Sequence, residues 1–150
     1  MINIVLVYPE RPNNTGNIGR LCVGMNAKLH LIKPDGFEIT NKKLKRSGLD
    51  YWVHLDWQEY DTKEDWYTQI KDEERVFLFS SHASKNYSKI NYKTGDWLVF
   101  GQESCGLSEE IKNRFKHKIH IPIAKEVRSF NLANSVAIAL SEANRQLQND

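Results

Sequence analysis

The sequence predicts an α/β protein in which a mostly parallel sheet carries helices on both faces. Short apolar runs of strand length alternate with segments of helical periodicity along all 150 residues. The runs at 75–79 and 97–100 are nearly continuously apolar, as is typical of parallel strands that are covered on both sides. The β-α-β order implies right-handed crossovers, and ligands of such sheets bind beyond the carboxyl ends of the strands. Candidate site loops therefore follow residues 8, 79, 100 and 123.

The composition indicates one globular domain over residues 1–150. An apolar fraction of 40% and a charged fraction of 27% exclude a disordered, collagen-like or membrane-spanning chain. The net charge of +2 creates no global positive field, so nucleic-acid binding would require a local basic patch. Two cysteines, Cys22 and Cys105, are too few for a four-cysteine metal site or for a typical secreted domain. We therefore predict a cytoplasmic protein with two structural thiols.

The first part of the chain predicts a strand, a helix and a second strand. Residues 2–8 form an apolar run without preceding Lys or Arg and without a following cleavage site, so we expect a strand rather than an export signal or an anchor. A polar loop at 9–14 leads into a predicted helix at 17–27. The next strand, 28–33, stops at Pro34.

The rest of the chain continues the alternation. In order, the patterns predict a short basic helix at 42–47, an extended piece at 51–55, a helix at 62–71, strands at 75–79 and 97–100, a helix at 108–115, a strand at 118–123 and a helix at 131–147. Ser108 is the expected N-cap of its helix, because two glutamates follow in the first turn. In the last helix, one apolar stripe predicts the core-facing side: Leu132, Val136, Ala139, Leu140, Ala143 and Leu147.

Three segments carry candidate chemistry, and the first is the loop and helix start at 13–20. Asn14 is a good capping residue, and Gly16 allows close approach of backbone. Free N–H groups at a helix start suit a phosphate, which Arg20 would clamp from one turn further on. The same spacing also fits an ordinary capped helix with a solvated arginine.

The second segment, 101–107, is a glycine-bracketed turn that follows a predicted strand. Gly101 would let a nucleoside lie against bare backbone, Glu103 is an acid that a solvated turn does not require, and Gly106 closes the turn. The segment lacks the spacings of dinucleotide-binding and P-loop motifs, so it disfavours NAD and ATP. Glycine-rich turns after strands are common in any α/β fold. Cys105 has no evident base nearby and is not a candidate nucleophile.

The third segment is the polar loop at 128–135, before the last helix. It contains two amides, Asn131 and Asn134, at the predicted start of a packed helix. One of them is the expected N-cap, and the other is expected to bond a neighbouring loop.

These segments, in this order, resemble the SPOUT class of RNA methyltransferases, and within it the small tRNA 2′-O-methyltransferases of the TrmL (YibK-like) group. The resemblance covers nearly the whole chain. It rests on the opening strand and on residues 14–20 (NTGNIGR), 46–52 (RSGLDYW), 100–103 (FGQE) with 106–107, 121–123 (IPI) and 128–134 (RSFNLAN).

The resemblance implies a parallel α/β sheet whose C-terminal segment is threaded into a deep trefoil knot. It further implies that S-adenosylmethionine lies in the knot, held by backbone amides and apolar side chains, and that no metal takes part. The implied cofactor-binding positions are Phe79, Gly101, Ile121, Ser129 and Leu132. Family members are homodimers, so the resemblance also implies an interface built from the helix at 17–27 and the terminal helix, with the site across it.

The implied reaction is methylation of the ribose 2′-hydroxyl of the wobble nucleotide in certain leucine tRNAs. Arg20 corresponds to the family's catalytic arginine. Because a guanidinium is almost always protonated, we interpret its role as phosphate positioning and stabilisation of the developing alkoxide rather than proton abstraction. One position departs from the family pattern, since Ser141 stands before Glu142 where relatives have tyrosine.

A local basic patch is the predicted RNA contact. Its expected members are Arg11, Lys42, Lys43, Lys45, Arg46 and Arg128. The alternative for the run at 42–46 is a solvated helix face. Tyr51 and Trp52 either stack on bases or pack beneath the basic helix.

Three other functions remain open from the sequence. The nearest is a ribose 2′-O-methyltransferase of ribosomal RNA, which shares the three motifs. A non-catalytic knotted RNA-binding protein is supported mainly by Ser141. A general nucleotide-binding regulator would be the default without the family resemblance. His117 and His120 point to opposite faces of a strand and therefore do not suggest a metal site.

Overall fold

A computed structural model describes residues 1–34 and 49–148, and its centre is a seven-stranded sheet. The sheet has the order β3-β2-β1-β6-β4-β7-β5, and the paired strands run parallel. The strands are β1 Asn3–Val7, β2 Lys28–Ile32, β3 Trp57–Tyr60, β4 Val76–Phe79, β5 Lys85–Asn86, β6 Trp97–Phe100 and β7 His117–His120. The predicted α/β class with a mostly parallel sheet is confirmed.

Four α-helices accompany the sheet within the described residues: α1 Pro12–Gly24, α2 Lys63–Tyr67, α3 Glu109–Arg114 and α4 Leu132–Leu147. Short 3₁₀ turns occupy Leu49–His54, Glu73–Arg75 and Tyr87–Lys89. None of the helices described between residues 1 and 34 or between 49 and 148 is long and apolar enough to cross a membrane.

Apolar cores lie on both faces of the sheet. Ile4 and Leu6 of β1 pack in one cluster with α1 and α4, whereas their neighbours Val5 and Val7 pack in the other. Alternating residues of one strand point to opposite faces, so a strand that is apolar throughout must be covered twice. The second cluster is closed by Trp66 of α2 and by residues of α3. Helices on both faces are thereby confirmed.

Helix α1 differs from its prediction at both ends. It begins at Pro12 instead of 17, because proline at the first position has a suitable φ and lacks an N–H that would be left unpaired. It ends at Gly24 instead of 27, where the chain turns and Asn26 adopts a φ of +55°. The predicted start was wrong because Asn13 and Asn14 were assigned to the loop.

The extended piece predicted at 51–55 is also wrong, because that segment is the 3₁₀ turn Leu49–His54. Its shape is set by tertiary contacts with α1. The Tyr51 hydroxyl donates to the carbonyl of Gly16 at 2.9 Å, and a Cβ on Gly19 would lie 2.5 Å from the Trp52 ring. Trp52 therefore packs on a helix surface that only glycine leaves open.

Other element boundaries shift less. Helix α2 ends at Tyr67 instead of 71, and β7 covers His117–His120 instead of 118–123. The strands β3 and β5 were missed. The cap at Ser108 is confirmed, since its hydroxyl accepts from the Ile111 amide. The helix predicted at 42–47 lies outside the described residues.

Candidate active site

A cleft of about 730 Å³ opens beyond the carboxyl ends of β4, β6 and β7. Its walls are the loops that follow these strands, the start of α1 and the loop before α4. This is the edge at which open α/β sheets bind ligands, and the volume suits a ligand of nucleoside size.

The apolar part of the cleft comes from strand ends. Phe79 and Phe100 close β4 and β6, and their rings stack with centroids 4.5 Å apart. Ile121 follows β7, and Leu132 begins α4. All four residues line the cleft, so an aromatic or aliphatic surface is available to a flat ligand.

The turn at 101–107 lines the cleft and is closed by its own backbone. The amides and carbonyls of Gln102 and Gly106 pair in both directions, at 3.3 and 2.9 Å, and Gly106 has a φ of +73°. A Cβ on Gly101 would lie 2.2 Å from the carbonyl carbon of Gly106 and 2.4 Å from the amide nitrogen of Leu107. Only glycine fits at 101, because the obstacle is backbone rather than a movable side chain.

The same turn is fastened to the loop before α1. The Glu10 amide donates to Oε2 of Glu103 at 3.0 Å, and Oε1 of Glu10 accepts from the amide and the hydroxyl of Ser104 at 3.2 and 2.6 Å. Hydrogen bonds from Ser104 hold the pKa of the Glu10 carboxyl below its ordinary value. Oε1 of Glu103 is buried and has no hydrogen-bond partner among the described residues.

A second link joins α4 to α1 at the cleft. Oδ1 of Asn131 accepts from the amides of Ala133 and Asn134, while its Nδ2 donates to Oδ1 of Asn14 at 3.2 Å. The sequence predicted a cap from one asparagine and a contact with a neighbouring loop from the other. Asn131 is the cap, and it also makes the distant contact, which reaches Asn14 in helix α1 rather than a loop. The Asn134 side chain is exposed and is not part of the cleft wall.

All five expected cofactor positions meet in this cleft. Its wall includes Phe79, Gly101, Ile121, Ser129 and Leu132. The supporting positions Asn14, Glu103, Gly106 and Asn131 also line it. Gly16 is buried in α1, where its carbonyl accepts from Tyr51.

Arg20 does not line the cleft of its own chain. It lies exposed on α1, and its guanidinium carbon is 5.8 Å from the centroid of the Tyr51 ring. The Tyr51 hydroxyl is bonded to Gly16, so the ring that faces Arg20 is held against α1. The geometry separates the expected catalytic arginine from the expected cofactor positions.

Two basic residues from the predicted patch reach the cleft. Arg11 precedes α1 and Arg128 lies in the loop before α4, and both are exposed. The other four members, Lys42, Lys43, Lys45 and Arg46, lie outside the described residues. Sequence reasoning missed Lys112 of α3, which also lines the cleft. Its position one turn into the helix that follows the glycine turn was the available signal.

Ser141, where the resemblance implies a tyrosine, lies away from the cleft wall. Ser141 is exposed on α4, and the neighbouring Glu142 accepts from Arg145 at 2.8 Å and from Gln146 at 3.1 Å. The hydrogen bond from Arg145 lowers the pKa of Glu142. The Glu142 carboxylate therefore makes its hydrogen bonds within α4.

Residues 1–141 match the model of the SpoU rRNA Methylase family. The chain is 43% identical to a tRNA (cytidine(34)-2'-O)-methyltransferase of Methylovorus glucosotrophus, over 97% of this chain and 96% of that protein. A solved structure concerned with the 2-OH methylation of C/U34 on tRNA is 41% identical and superimposes with a TM-score of 0.93. That alignment covers 100% of this chain and 98% of the other.

A more distant likeness concerns the fold alone. The SpoU methyltransferase AviRb from Streptomyces viridochromogenes, in complex with the cofactor AdoMet, superimposes with a TM-score of 0.87 at 20% identity. The alignment covers 98% of this chain and 58% of that one.

Proposed function

The chain belongs to the SpoU rRNA methylase family, and from this premise we propose that it is an S-adenosylmethionine-dependent tRNA ribose 2′-O-methyltransferase acting on the wobble nucleotide, C34 or U34. The observation that carries the proposal is a single cleft that contains all five expected cofactor positions. Identity of 43% over nearly the full length to a tRNA (cytidine(34)-2'-O)-methyltransferase supports the choice of nucleotide. The leucine tRNAs are the proposed substrates.

The cleft fits S-adenosylmethionine by size and by chemistry. Stacked Phe79 and Phe100, together with Ile121 and Leu132, suit an adenine, and the tight turn that Gly101 permits lines the same cleft. Ser129 adds a hydroxyl at the same wall. When bound, the cofactor supplies a methyl group already activated by its sulfonium, so the protein's task is to orient the ribose hydroxyl and to stabilise charge.

Arg20 is the proposed catalytic residue. Arginine carries its charge at physiological pH, so we assign it to holding the RNA phosphate and to stabilising the 2′-oxygen as negative charge develops. Arg11, Arg128 and Lys112 are exposed or half-buried cations at the cleft that would contact flanking phosphates. Lys42, Lys43, Lys45 and Arg46 are proposed as further RNA contacts.

The functional unit is proposed to be a homodimer. Arg20 is not part of the cleft wall of its own chain, whereas α1 carries Asn14 at the cleft and Arg20 on an exposed face. A second copy that brings its α1 against the first would deliver Arg20 to the cleft in trans. The interface would consist of α1 and α4, and C₂ symmetry would complete two identical sites.

The remaining proposals follow from the family. The C-terminal segment is proposed to form a trefoil knot, residues 1–150 to form one methyltransferase domain, and the protein to act in the cytoplasm, where its substrate tRNA is found. Both cysteines are free thiols, which suits a reducing compartment.

The test is transfer of labelled methyl groups from S-adenosylmethionine to total tRNA and, separately, to ribosomal RNA. We expect incorporation into tRNA by the wild type, and a decrease of at least about 100-fold with Arg20→Ala, as is typical for loss of a transition-state contact. Arg114→Ala, which removes an exposed arginine at the end of α3, away from α1, α4 and the cleft wall, is the matched control. Incorporation into ribosomal RNA alone would contradict the proposed substrate. Binding of cofactor without transfer to either RNA would favour a non-catalytic RNA-binding protein.

A further inference from the structure

Three hydrogen bonds at the edge of the cleft join two loops that lie far apart in the sequence. The bonds connect Glu10 with Glu103 and Ser104 across more than 90 residues, and we name these three residues the Glu10 latch. Each loop contributes both backbone and side chain: the Glu10 amide donates to the Glu103 carboxylate, while the Glu10 carboxylate accepts from the Ser104 amide and hydroxyl. This reciprocity fixes the relative position of the loops more firmly than one side-chain contact would.

The latch joins two parts of the site that have separate tasks. Glu10 lies two residues before the start of α1, the helix that carries Asn14 and Arg20. Glu103 and Ser104 belong to the turn at 101–107, which lines the cleft beside the expected cofactor positions Phe79 and Ile121. Because the turn is closed internally by the Gln102 and Gly106 pairing, the latch holds it as one body.

The latch also holds a carboxylate in an unfavourable position. Oε2 of Glu103 is bonded to the Glu10 amide, while its buried Oε1 has no partner among the residues that the structure describes. A buried, unpaired carboxylate oxygen costs free energy, and surrounding contacts must hold it in place. The Glu10 amide provides one such contact, because it donates to Oε2 of the same carboxylate.

We propose that Glu10 and Ser104 are positioning residues that set the cofactor turn and the start of α1 in one fixed arrangement for cofactor binding. This inference rests on the proposed function for its ligand, S-adenosylmethionine. Neither residue is assigned a contact with the reacting atoms. Loss of the latch lets the turn at 101–107 move relative to α1, so the free energy of ordering both loops is added to cofactor binding.

The experiment measures the dissociation constant of S-adenosylmethionine by calorimetry and the steady-state constants for methyl transfer. Four variants are compared: Glu10→Ala, Ser104→Ala, the double variant and Ser104→Thr. We expect each alanine variant to weaken cofactor affinity by about 3- to 10-fold, as for loss of an ordinary hydrogen bond, with KM for the cofactor rising more than kcat falls. The double variant is expected to match Glu10→Ala alone, and Ser104→Thr to retain affinity within about 2-fold.

Ser84→Ala is the matched control, because Ser84 is an exposed serine in the loop between β4 and β5 and does not line the cleft. Affinity unchanged from the wild type in folded Glu10→Ala and Ser104→Ala would overturn the proposal. Additive effects in the double variant would also overturn it, since independent contributions exclude a shared contact.

A second arm needs no cofactor and separates this inference from the proposed function. Amide hydrogen exchange is measured on the ligand-free protein, and the latch predicts faster exchange of the Ser104 amide in Glu10→Ala than in the wild type. Unchanged exchange at Ser104 would overturn the latch even if the enzyme is active. If the wild type binds no S-adenosylmethionine but exchange at Ser104 accelerates, the proposed function fails while the positioning contact stands.

Discussion

At the scale of single residues, Gly101 is a position in the cleft wall that leaves no room for a side chain. A Cβ there would collide with backbone of Gly106 and Leu107, and neither atom can rotate away. We expect Gly101→Ala to lower the free energy of unfolding by about 1–3 kcal/mol, as overpacking does, and to weaken binding of S-adenosylmethionine by at least about tenfold. Urea unfolding and calorimetric titration measure the two effects.

Gly24→Ala is the matched control for this glycine. Gly24 ends α1, and a Cβ there would meet no atom within 4 Å. Alanine restricts the unfolded chain, so we expect a gain of about 0.4–1 kcal/mol and unchanged cofactor affinity. Equal effects of the two substitutions would show that close backbone packing at Gly101 does not shape the cleft.

The types and the order of the residues indicated most of the candidate site, but they did not give the distances between those residues. Ser108 could be identified as a cap, because serine before two glutamates is a local signal. The bond from Asn131 to Asn14 could not be assigned, because the two residues are 117 positions apart. The contacts of Glu10 were missed for the same reason, since a glutamate in a polar loop has no sequence signal for a distant serine.

At the scale of secondary-structure elements, His30 ties three neighbouring strands together. Its Nδ1 is 2.9 Å from the Tyr60 hydroxyl on β3, and its Nε2 is 2.9 Å from Oδ1 of Asn3 on β1. The pairing assigns the ring as neutral, with Nε2–H donating to Asn3 and Nδ1 accepting from Tyr60. Burial lowers the pKa of His30 from 6.5 to about 3.

The lowered pKa makes the folding free energy depend on pH in a defined direction. Below pH 6.5 the unfolded chain protonates His30 while the folded chain does not. The contribution of neutral His30 to the free energy of unfolding is therefore fully present above pH 6.5 and is lost as the pH falls toward 3. The slope from this residue approaches 1.4 kcal/mol per pH unit, or about 2 kcal/mol between pH 7 and pH 5.

His30→Gln removes the titration and provides the comparison. We expect the stability advantage of the wild type over this variant to shrink by about 2 kcal/mol when urea unfolding is measured at pH 5 instead of pH 7. A constant difference at the two pH values would mean that His30 does not remain neutral in the folded protein.

Long apolar runs predicted their elements well, whereas segments shaped by packing did not. Apolar residues that are continuous in a strand or periodic in a helix indicate burial directly. They predicted strands β1, β4 and β6 and helix α4. The turn at Leu49–His54 was predicted as extended because its shape depends on Gly16 and Gly19 of α1. Strand β5 has only two residues, which is too short for any periodic pattern.

At the scale of the whole molecule, the position of Arg20 outside its own cleft wall and the proposed homodimer together predict complementation between protomers. The Arg20→Ala variant keeps an unaltered cleft, and the Gly101→Ala variant keeps Arg20. A mixed dimer of the two variants would contain one complete site if Arg20 acts in trans, and none if it acts in cis. Random mixing should restore about one quarter of wild-type activity, since half of the dimers are mixed and each has one of two sites.

The complementation is measured by co-expressing the two variants with different affinity tags and isolating the mixed species. Each homodimeric variant alone serves as the background. Activity of the purified mixed species no higher than these backgrounds would contradict a site shared between protomers.

The cleft is proposed to direct a methyl group to the ribose of the wobble nucleotide. The most direct measurement is mass spectrometric mapping of tRNA after incubation with the protein and S-adenosylmethionine. We predict one 2′-O-methylated ribose at nucleotide 34, absent with Arg20→Ala and present with Arg114→Ala. A methyl group on a base, on another nucleotide, or at nucleotide 34 with undiminished yield in Arg20→Ala would contradict the account.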